Sequence, residues 1–307
     1  MKFFVTILCL FACRLLQAQE ITYDNVYVDY DSVMEFKNLR IIPIRPKHGF
    51  GNGAPHVISL SQAIKKGIAF ISERGTASTE NVHFLRINNH SDQTIYVSSG
   101  ELISGGRQDR IITRDTLLEP NGRDQYMSVM CVEEGRWSEK EKKFDYGNFA
   151  NPALRRVLDE SKNQVLIWQE IQRQLSESQI PTKSFAYLSR VTDKKMIQLN
   201  DEYFHYFQDK FKAGDSTVVG FVCMSGDQVI GADIFASTDL FYDMLDPLLK
   251  GYCDQAVYMG KPLTITREEE KKYLDKLLSD KLSQEVFIKE NGKIFRQHGQ
   301  VIHINSF

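Results

Sequence analysis

The chain has 307 residues, with 38 lysines and arginines against 40 aspartates and glutamates, a formal net charge of −2 and 42% hydrophobic residues. So balanced a charge excludes the strong basic field that nucleic-acid or other polyanion binding requires. No stretch has the roughly twenty uncharged apolar residues that cross a bilayer, so neither a nucleic-acid partner nor a transmembrane segment is expected.

The first element is an export signal over residues 1–18. Lys2 precedes the apolar run Phe3 to Ala12, and Leu15, Leu16, Gln17 and Ala18 end it with a small residue where a signal peptidase cuts. Cleavage after Ala18 leaves Gln19 as the new terminus of a periplasmic or extracellular protein. A competing reading is lipoprotein processing at Cys13, which the bulk of Phe11 and the charge of Arg14 fit poorly. Three cysteines remain, Cys131, Cys223 and Cys253. This set is too sparse for a disulfide framework, and leaves open one bridge of undetermined pairing.

Residues 19–307 read as one α+β domain, β-rich over 21–147 and helix-rich over 148–307. Strand-type runs are Val26 to Val28, Leu39 to Ile44, Ile68 to Ser72, Val82 to Asn88, Thr94 to Ser98, Ile111 to Leu118 and Tyr126 to Glu133. Asn151-Pro152 then caps a helix whose apolar face runs from Leu154 to Leu175. A second helix carries Met196, Leu199, Tyr203, Phe207 and Phe211 inward. Val218 to Met224 and Gln228 to Phe235 form a hairpin across Ser225-Gly226-Asp227. A third helix follows Ser237 or Asp239, and Pro247 is expected to kink or end it. Thr266 and Glu269 make a capping box before Leu274 and Leu277. The last pair of strands, Val286 to Lys289 and Lys293 to Gln297, turns at Asn291-Gly292. Strands first and helices later favour an α+β fold, with a mixed or antiparallel sheet, over a doubly wound one.

Two segments concentrate the chemistry. In the first, Gly105 and Gly106 permit a sharp turn, with Glu101, Arg107, Gln108 and Arg110 around it. Guanidinium and amide groups there suit a phosphate or carboxylate, with a carboxylate nearby for proton transfer. The second, Cys131 to Trp137, brings Glu133, Arg136 and Trp137 to the end of a strand. On residue types alone the first segment reads rather as a β-bulge or tight turn with surface charges, and the second as a capped turn with Trp137 tucked against the core. Cys131 has no histidine close in sequence and reads as a buried inert thiol. The His48 to His56 loop has the flexibility of a lid or a plain connector. His48, His56, His83 and His90 lack metal-ligand spacing, so no metal is expected, and no cofactor is specified. Nucleophile-elbow, phosphate-loop and Rossmann fingerprints are absent from the sequence.

Taken together, Gly100-Glu101-Leu102 through Arg110 and Val129-Met130-Cys131 through Trp137 resemble a family named for its association with ADP-ribosylglycohydrolases and rhodanese-phosphatases. Val219-Gly220-Phe221 through Gly231-Ala232-Asp233 and on to Phe241, then Leu248 to Tyr252, extend the resemblance over roughly residues 24 to 260. It implies a role near NAD or ADP-ribose chemistry and carries no particular reaction. The matched positions are Glu101, Gly105, Gly106, Gln108, Arg110, Cys131, Glu133, Arg136 and Trp137, with Asp233 a weaker addition.

Three functions compete. A hydrolase or transferase would use Glu101 and Glu133 as acid or base. Gly105, Gly106, Gln108, Arg110, Arg136 and Trp137 would then hold an ADP-ribose-like, NAD-like or other phosphorylated ligand. A non-catalytic envelope-associated module would use the same residues only to bind. A structural brace would pair Arg110 with Glu133 and leave no pocket.

Overall fold

The computed structural model describes residues 19–51, 54–75, 81–138, 142–214, 217–259 and 261–307. The expected signal and Cys13 lie outside the described residues, as do Asn52 and Gly53 of the 48–56 loop.

Strands β1 (Val26–Val28), β2 (Met34–Phe36) and β3 (Leu39–Pro46) come first. β4 (Val57–Ser59) runs directly into α1 (Leu60–Lys65), because the Ser59 hydroxyl accepts from the Gln62 amide and caps the helix. β5 (Ala69–Glu73), β6 (Phe84–Asn89), β7 (Thr94–Val97) and β8 (Glu101–Ser104) follow. The strand expected over Ile111 to Leu118 is instead two, β9 (Arg110–Ile112) and β10 (Thr116–Leu118), which belong to different sheets. β11 (Gln125–Cys131) and β12 (Asp145–Phe149) precede the first long helix.

Helix α2 (Pro152–Ser161) starts as expected, with the Asn151 side chain accepting from the Leu154 amide. It does not continue to Leu175. Lys162 adopts φ +46°, and Asn163 caps a separate α3 (Gln164–Glu177). After α4 (Ser189–Thr192), α5 (Lys194–Ala213) buries Met196, Tyr203, Phe207 and Phe211, as the spacing predicts. β13 (Gly220–Ser225) and β14 (Gln228–Phe235) form the expected hairpin.

Helix α6 (Thr238–Met259) departs from expectation by running through Pro247. An internal proline costs about 3 kcal/mol, but Phe241, Met244, Leu248, Leu249, Tyr252 and Ala256 are all buried along this helix. Burial of several such side chains, at about 1.5–3 kcal/mol each, outweighs the loss. α7 (Arg267–Leu277) has the expected capping box. The end of the chain corrects the reading again. Residues 281–291 form α8 (Lys281–Asn291), capped by Asp280, and the hairpin lies one element later, between β15 (Gly292–Gln297) and β16 (Gln300–Ser306). Its turn uses His298 and Gly299, both at positive φ, rather than Asn291-Gly292.

The architecture is α+β. One antiparallel sheet has the order β1-β3-β13-β14-β16-β15, with β2 also on β3. A second, β12-β8-β9-β11-β6-β5, is likewise antiparallel, and a small third sheet β10-β7-β4 contains one parallel pair. Four strands from the helix-rich half therefore complete a sheet begun by the N-terminal strands. Helices α5 and α6 cover one face of that sheet through Phe207, Phe211, Phe241 and Leu249, while α7 and α8 cover the other through Leu274, Leu277 and Ile288. No disulfide joins Cys131, Cys223 and Cys253. All three are buried thiols, so the bridge that the sequence left open is not formed.

Candidate functional site

The two sequence segments meet, and they meet each other's hydrogen-bonding needs. Arg136 Nε donates to Glu133 at 2.6 Å, and its Nη2 donates to Asp109 at 2.9 Å and to the Gly105 carbonyl at 3.3 Å. Glu133 also accepts from the Ser184 hydroxyl at 2.8 Å. Gln108 Nε2 donates to the Glu133 carbonyl, while Arg110 Nη1 lies 3.0 Å from Gln108 Oε1 and 2.9 Å from Cys131 Sγ. Arg110 and Glu133 thus do not pair with each other, contrary to the brace as the sequence framed it. The glycines have a packing reason. A Cβ on Gly105 would lie 2.2 Å from the Lys143 carbonyl oxygen, and one on Gly106 would lie 2.0 Å from the Phe144 ring. Trp137 is 47% exposed rather than tucked into the core.

Glu101 belongs to a different group. Its carboxyl is wholly buried, and Oε2 accepts from the Ser98 amide at 2.7 Å. The reason Tyr146 reaches it is a β-bulge in β12. Phe149 pairs with Glu101 and Tyr146 with Ile103, and the register shift at Gly147 puts all four on one face. The Tyr146 side chain lies beside the Glu101 carboxyl and influences its ionisation, although neither Glu101 Oε1 nor the Tyr146 hydroxyl makes a hydrogen bond of ordinary geometry among the described residues. Burial, with a smaller push from the Asp115 charge, raises Glu101 to about 8, so it is mostly protonated at pH 7. Burial and the neighbouring Glu101 likewise push Tyr146 far up.

Behind Glu101 runs a chain of buried charges that the sequence reading largely missed. The break between β9 and β10 delivers Asp115, which accepts from the Ser99 amide at 2.6 Å and faces His303 Nδ1 at 3.2 Å. His303 Nε2 lies 2.9 Å from Asp233 Oδ1. Asp233 receives Arg155 bidentately, at 2.9 and 2.6 Å, and the Tyr252 hydroxyl at 2.7 Å. With a carboxylate at each ring nitrogen, the imidazole is suited to be a double donor. Burial alone would depress His303, but Asp115 and Asp233 outweigh it and raise it. Burial would raise Asp233 as well, and Arg155 together with His303 pulls it far below the usual carboxylate range. The Arg155 guanidinium lies between the Phe149 and Phe307 rings, 4.8 and 4.9 Å from their centroids. Gly100, at φ +97°, leaves room for it, since a Cβ there would sit 3.0 Å from Arg155 Cγ.

Solvent reaches this region at a cleft of about 790 Å³ between α1, β12, α4 and α6. Three carboxylates (Asp145, Asp243, Asp246), two ammonium groups (Lys65, Lys250) and the rings of Tyr146 and Tyr242 line it, with the hydroxyl and amide groups of Ser61, Gln62, Asn148 and Thr192. Tyr146 therefore touches both the cleft and Glu101. Asp243 accepts from the Ser59 amide at 3.3 Å, and burial raises its carboxyl above the usual range. Gly105, Gly106, Gln108, Arg110, Glu133, Arg136 and Trp137 do not line this cleft. Among the described residues no cluster of histidine, cysteine and carboxylate side chains is placed to hold a metal ion, and no helix is long and apolar enough to cross a membrane.

Neither a curated protein nor a solved structure matches the chain. A family model does, over residues 27–303, from β1 to His303 in the last strand, so it spans the loop cluster, the buried charges and the cleft. The chain belongs to the family of the ARG and Rhodanese-Phosphatase-superfamily-associated Protein domain.

Proposed function

We propose that the chain is an exported protein whose α1–β12–α6 cleft binds a hydroxyl-rich small molecule, a sugar or sugar phosphate. The observation that carries this reading is the lining. Carboxylates, ammonium groups, amides and hydroxyls alternate around two tyrosine rings in a space of about 790 Å³, which is of ligand-pocket size. Such a wall offers donors and acceptors to successive hydroxyls and apolar faces to a sugar ring. An ADP-ribose- or NAD-like ligand would present its ribosyl group here, in keeping with the family's association. The loop cluster of Glu133, Arg136 and Asp109 then serves as a brace for the second sheet.

Calorimetric titration with ribose 5-phosphate tests the binding. Saturable binding is expected, weakened roughly tenfold by Asp243→Asn, the loss of one charge-assisted hydrogen bond. Absence of binding by any pentose or pentose phosphate, or indifference to D243N, sinks the reading.

Glu101 and Asp243 favour a second, catalytic reading. Both have carboxyl groups held above their ordinary range, one at the cleft and one behind Tyr146, the tuning that general acids need near neutral pH.

Export rests on the Lys2 to Ala18 pattern. Cell fractionation with N-terminal sequencing of the mature protein is expected to place it outside the cytoplasm, beginning at Gln19. A cytoplasmic product starting at Met1 rules the proposal out, and a lipid-linked terminus at Cys13 replaces it with anchoring.

A further inference from the structure

Four consecutive residues of β12, Asp145, Tyr146, Gly147 and Asn148, wall one side of the large cleft. The bulge sets their placement, because Tyr146 pairs with Ile103 and Asn148 with Leu102, which leaves Gly147 outside the ladder. A Cβ on Gly147 would lie 3.0 Å from the Leu102 carbonyl oxygen and 3.2 Å from Leu188 Cδ1, so the bulged position is tightly held. Behind this wall is the Glu101 carboxyl, which is buried and does not line the cleft. Its Oε2 accepts from the Ser98 amide, whereas Oε1 and the neighbouring Tyr146 hydroxyl are both buried without a hydrogen bond among the described residues.

Two such groups side by side are tolerable while both are neutral. An ionised Oε1 is far more costly, because a buried charge needs a donor. The charged and titratable groups packed around it are otherwise engaged. Tyr96 of β7 is turned to Ser98 and His303, and His303 of β16 is held between Asp115 and Asp233. Lys293 of β15 and Arg155 of α2 are paired with Asp159 and Asp233. Asp115, which follows β9, adds a like charge. The Tyr146 hydroxyl is therefore the donor that an anionic Glu101 draws in, and aligning it turns the ring that forms part of the cleft wall.

We infer that Glu101 and Tyr146 are a positioning pair for the cleft: the neutral carboxyl keeps the β12 wall in its binding shape, and loss of that proton withdraws Tyr146 from it. This inference rests on the sugar-binding reading of the cleft, so ribose 5-phosphate is again the probe. With the carboxyl raised to about 8, the fraction of chains in the binding shape falls roughly tenfold between pH 7 and pH 9. Calorimetry on the mature chain is expected to show the affinity falling by that factor. The phosphate of the probe, with a second pKa of about 6, stays largely dianionic over this range. Glu101→Gln cannot ionise and should bind with an affinity that does not change from pH 7 to pH 9, while it keeps every other group that titrates there. Tyr146→Phe keeps the ring but removes the donor that favours the carboxylate, which should move the decline to higher pH.

Binding that is flat with pH in the wild type, or that declines equally in E101Q, overturns the pair and leaves the sugar site standing. A flat E101Q profile beside an unshifted decline in Y146F overturns the route through Tyr146. Absence of ribose 5-phosphate binding at every pH overturns the sugar site, and near-ultraviolet circular dichroism then decides the pair without a ligand. A tyrosine band that changes between pH 7 and pH 9 in the wild type and not in E101Q supports it, and identical changes in the two proteins overturn it.

Discussion

Replacing Arg155 with methionine is expected to lower stability by about 3–5 kcal/mol, the usual cost of removing one partner from a buried ion pair. The side chain is 2% exposed and its partner Asp233 is 0% exposed, so no water can take over the two hydrogen bonds. Asp233 would keep Tyr252 and His303, which is why the loss is placed within the ordinary range. The methionine would still fill the slot between Phe149 and Phe307, so the measured loss reports the charge rather than a cavity. Pairing Arg155→Met with Asp233→Asn should cost less than the sum of the single changes, since neither variant then leaves an uncompensated charge. Urea denaturation of the four proteins measures this, and a single-variant loss under about 1 kcal/mol would falsify the idea that the pair is structurally essential.

The second large effect depends on pH. Glu101 has a folded-state pKa near 8, against about 4.5 for an ordinary glutamate. Its neutral form is the one the fold accepts, so its contribution is fully present below the unfolded value. That contribution is lost as pH rises through about 8. Glu101→Gln mimics the neutral carboxyl and should show no such loss. Wild type and E101Q are therefore expected to differ little at pH 4–5. Above pH 8 the variant should be the more stable by a few kcal/mol, at ~1.4 kcal/mol for each pH unit separating the folded and unfolded pKa values. His303, also raised, loses its contribution with rising pH in both proteins and cancels in the difference. Asp115 and Asp233, both lowered, matter only as pH falls below the ordinary aspartate range. Denaturation midpoints from pH 4 to 9 decide the matter. Parallel curves would show that Glu101 titrates alike in the folded and unfolded chain and would overturn its raised pKa.

The α+β class was legible because period-2 runs precede period-3.6 runs, and most strands and helices follow from that pattern. Where reading failed, a tertiary contact overrode a local rule. Burial of one face carries α6 past Pro247. The Val286-Phe287-Ile288 run resembles a strand, but only Ile288 is buried and Val286 is 71% exposed, the asymmetry of a helix rather than of a sheet. Of the site, Glu101 was found by its glycine-rich surroundings, but its setting was not. Tyr146 reaches it only through a bulge, and a one-residue register shift has no composition signal. Asp115, Arg155 and His303 were missed, although one cue existed. Asp233 and His303 each interrupt an otherwise apolar strand, and a charge at such a position must be paired. The cleft itself joins α1, β12, α4 and α6, segments up to about 190 residues apart, so spacing along the chain could not reveal it.

The order of synthesis meets the topology at β3. Residues 39–46 find their main neighbour in β13, which begins at Gly220, and the sheet is finished only by β16, which ends at Ser306. The imidazole that links Asp115 to Asp233 arrives on that last strand. A chain emerging from the ribosome therefore holds β3 with only β1 and β2 beside it until β13 is made, and Asp233 with Arg155 but without His303 until the last strand. Pairings this distant in sequence close slowly. On the proposed route of export, where the chain crosses a membrane before it folds, that delay keeps it threadable. The His303 contacts that tie Asp115 to Asp233 cannot form until that last strand is in place.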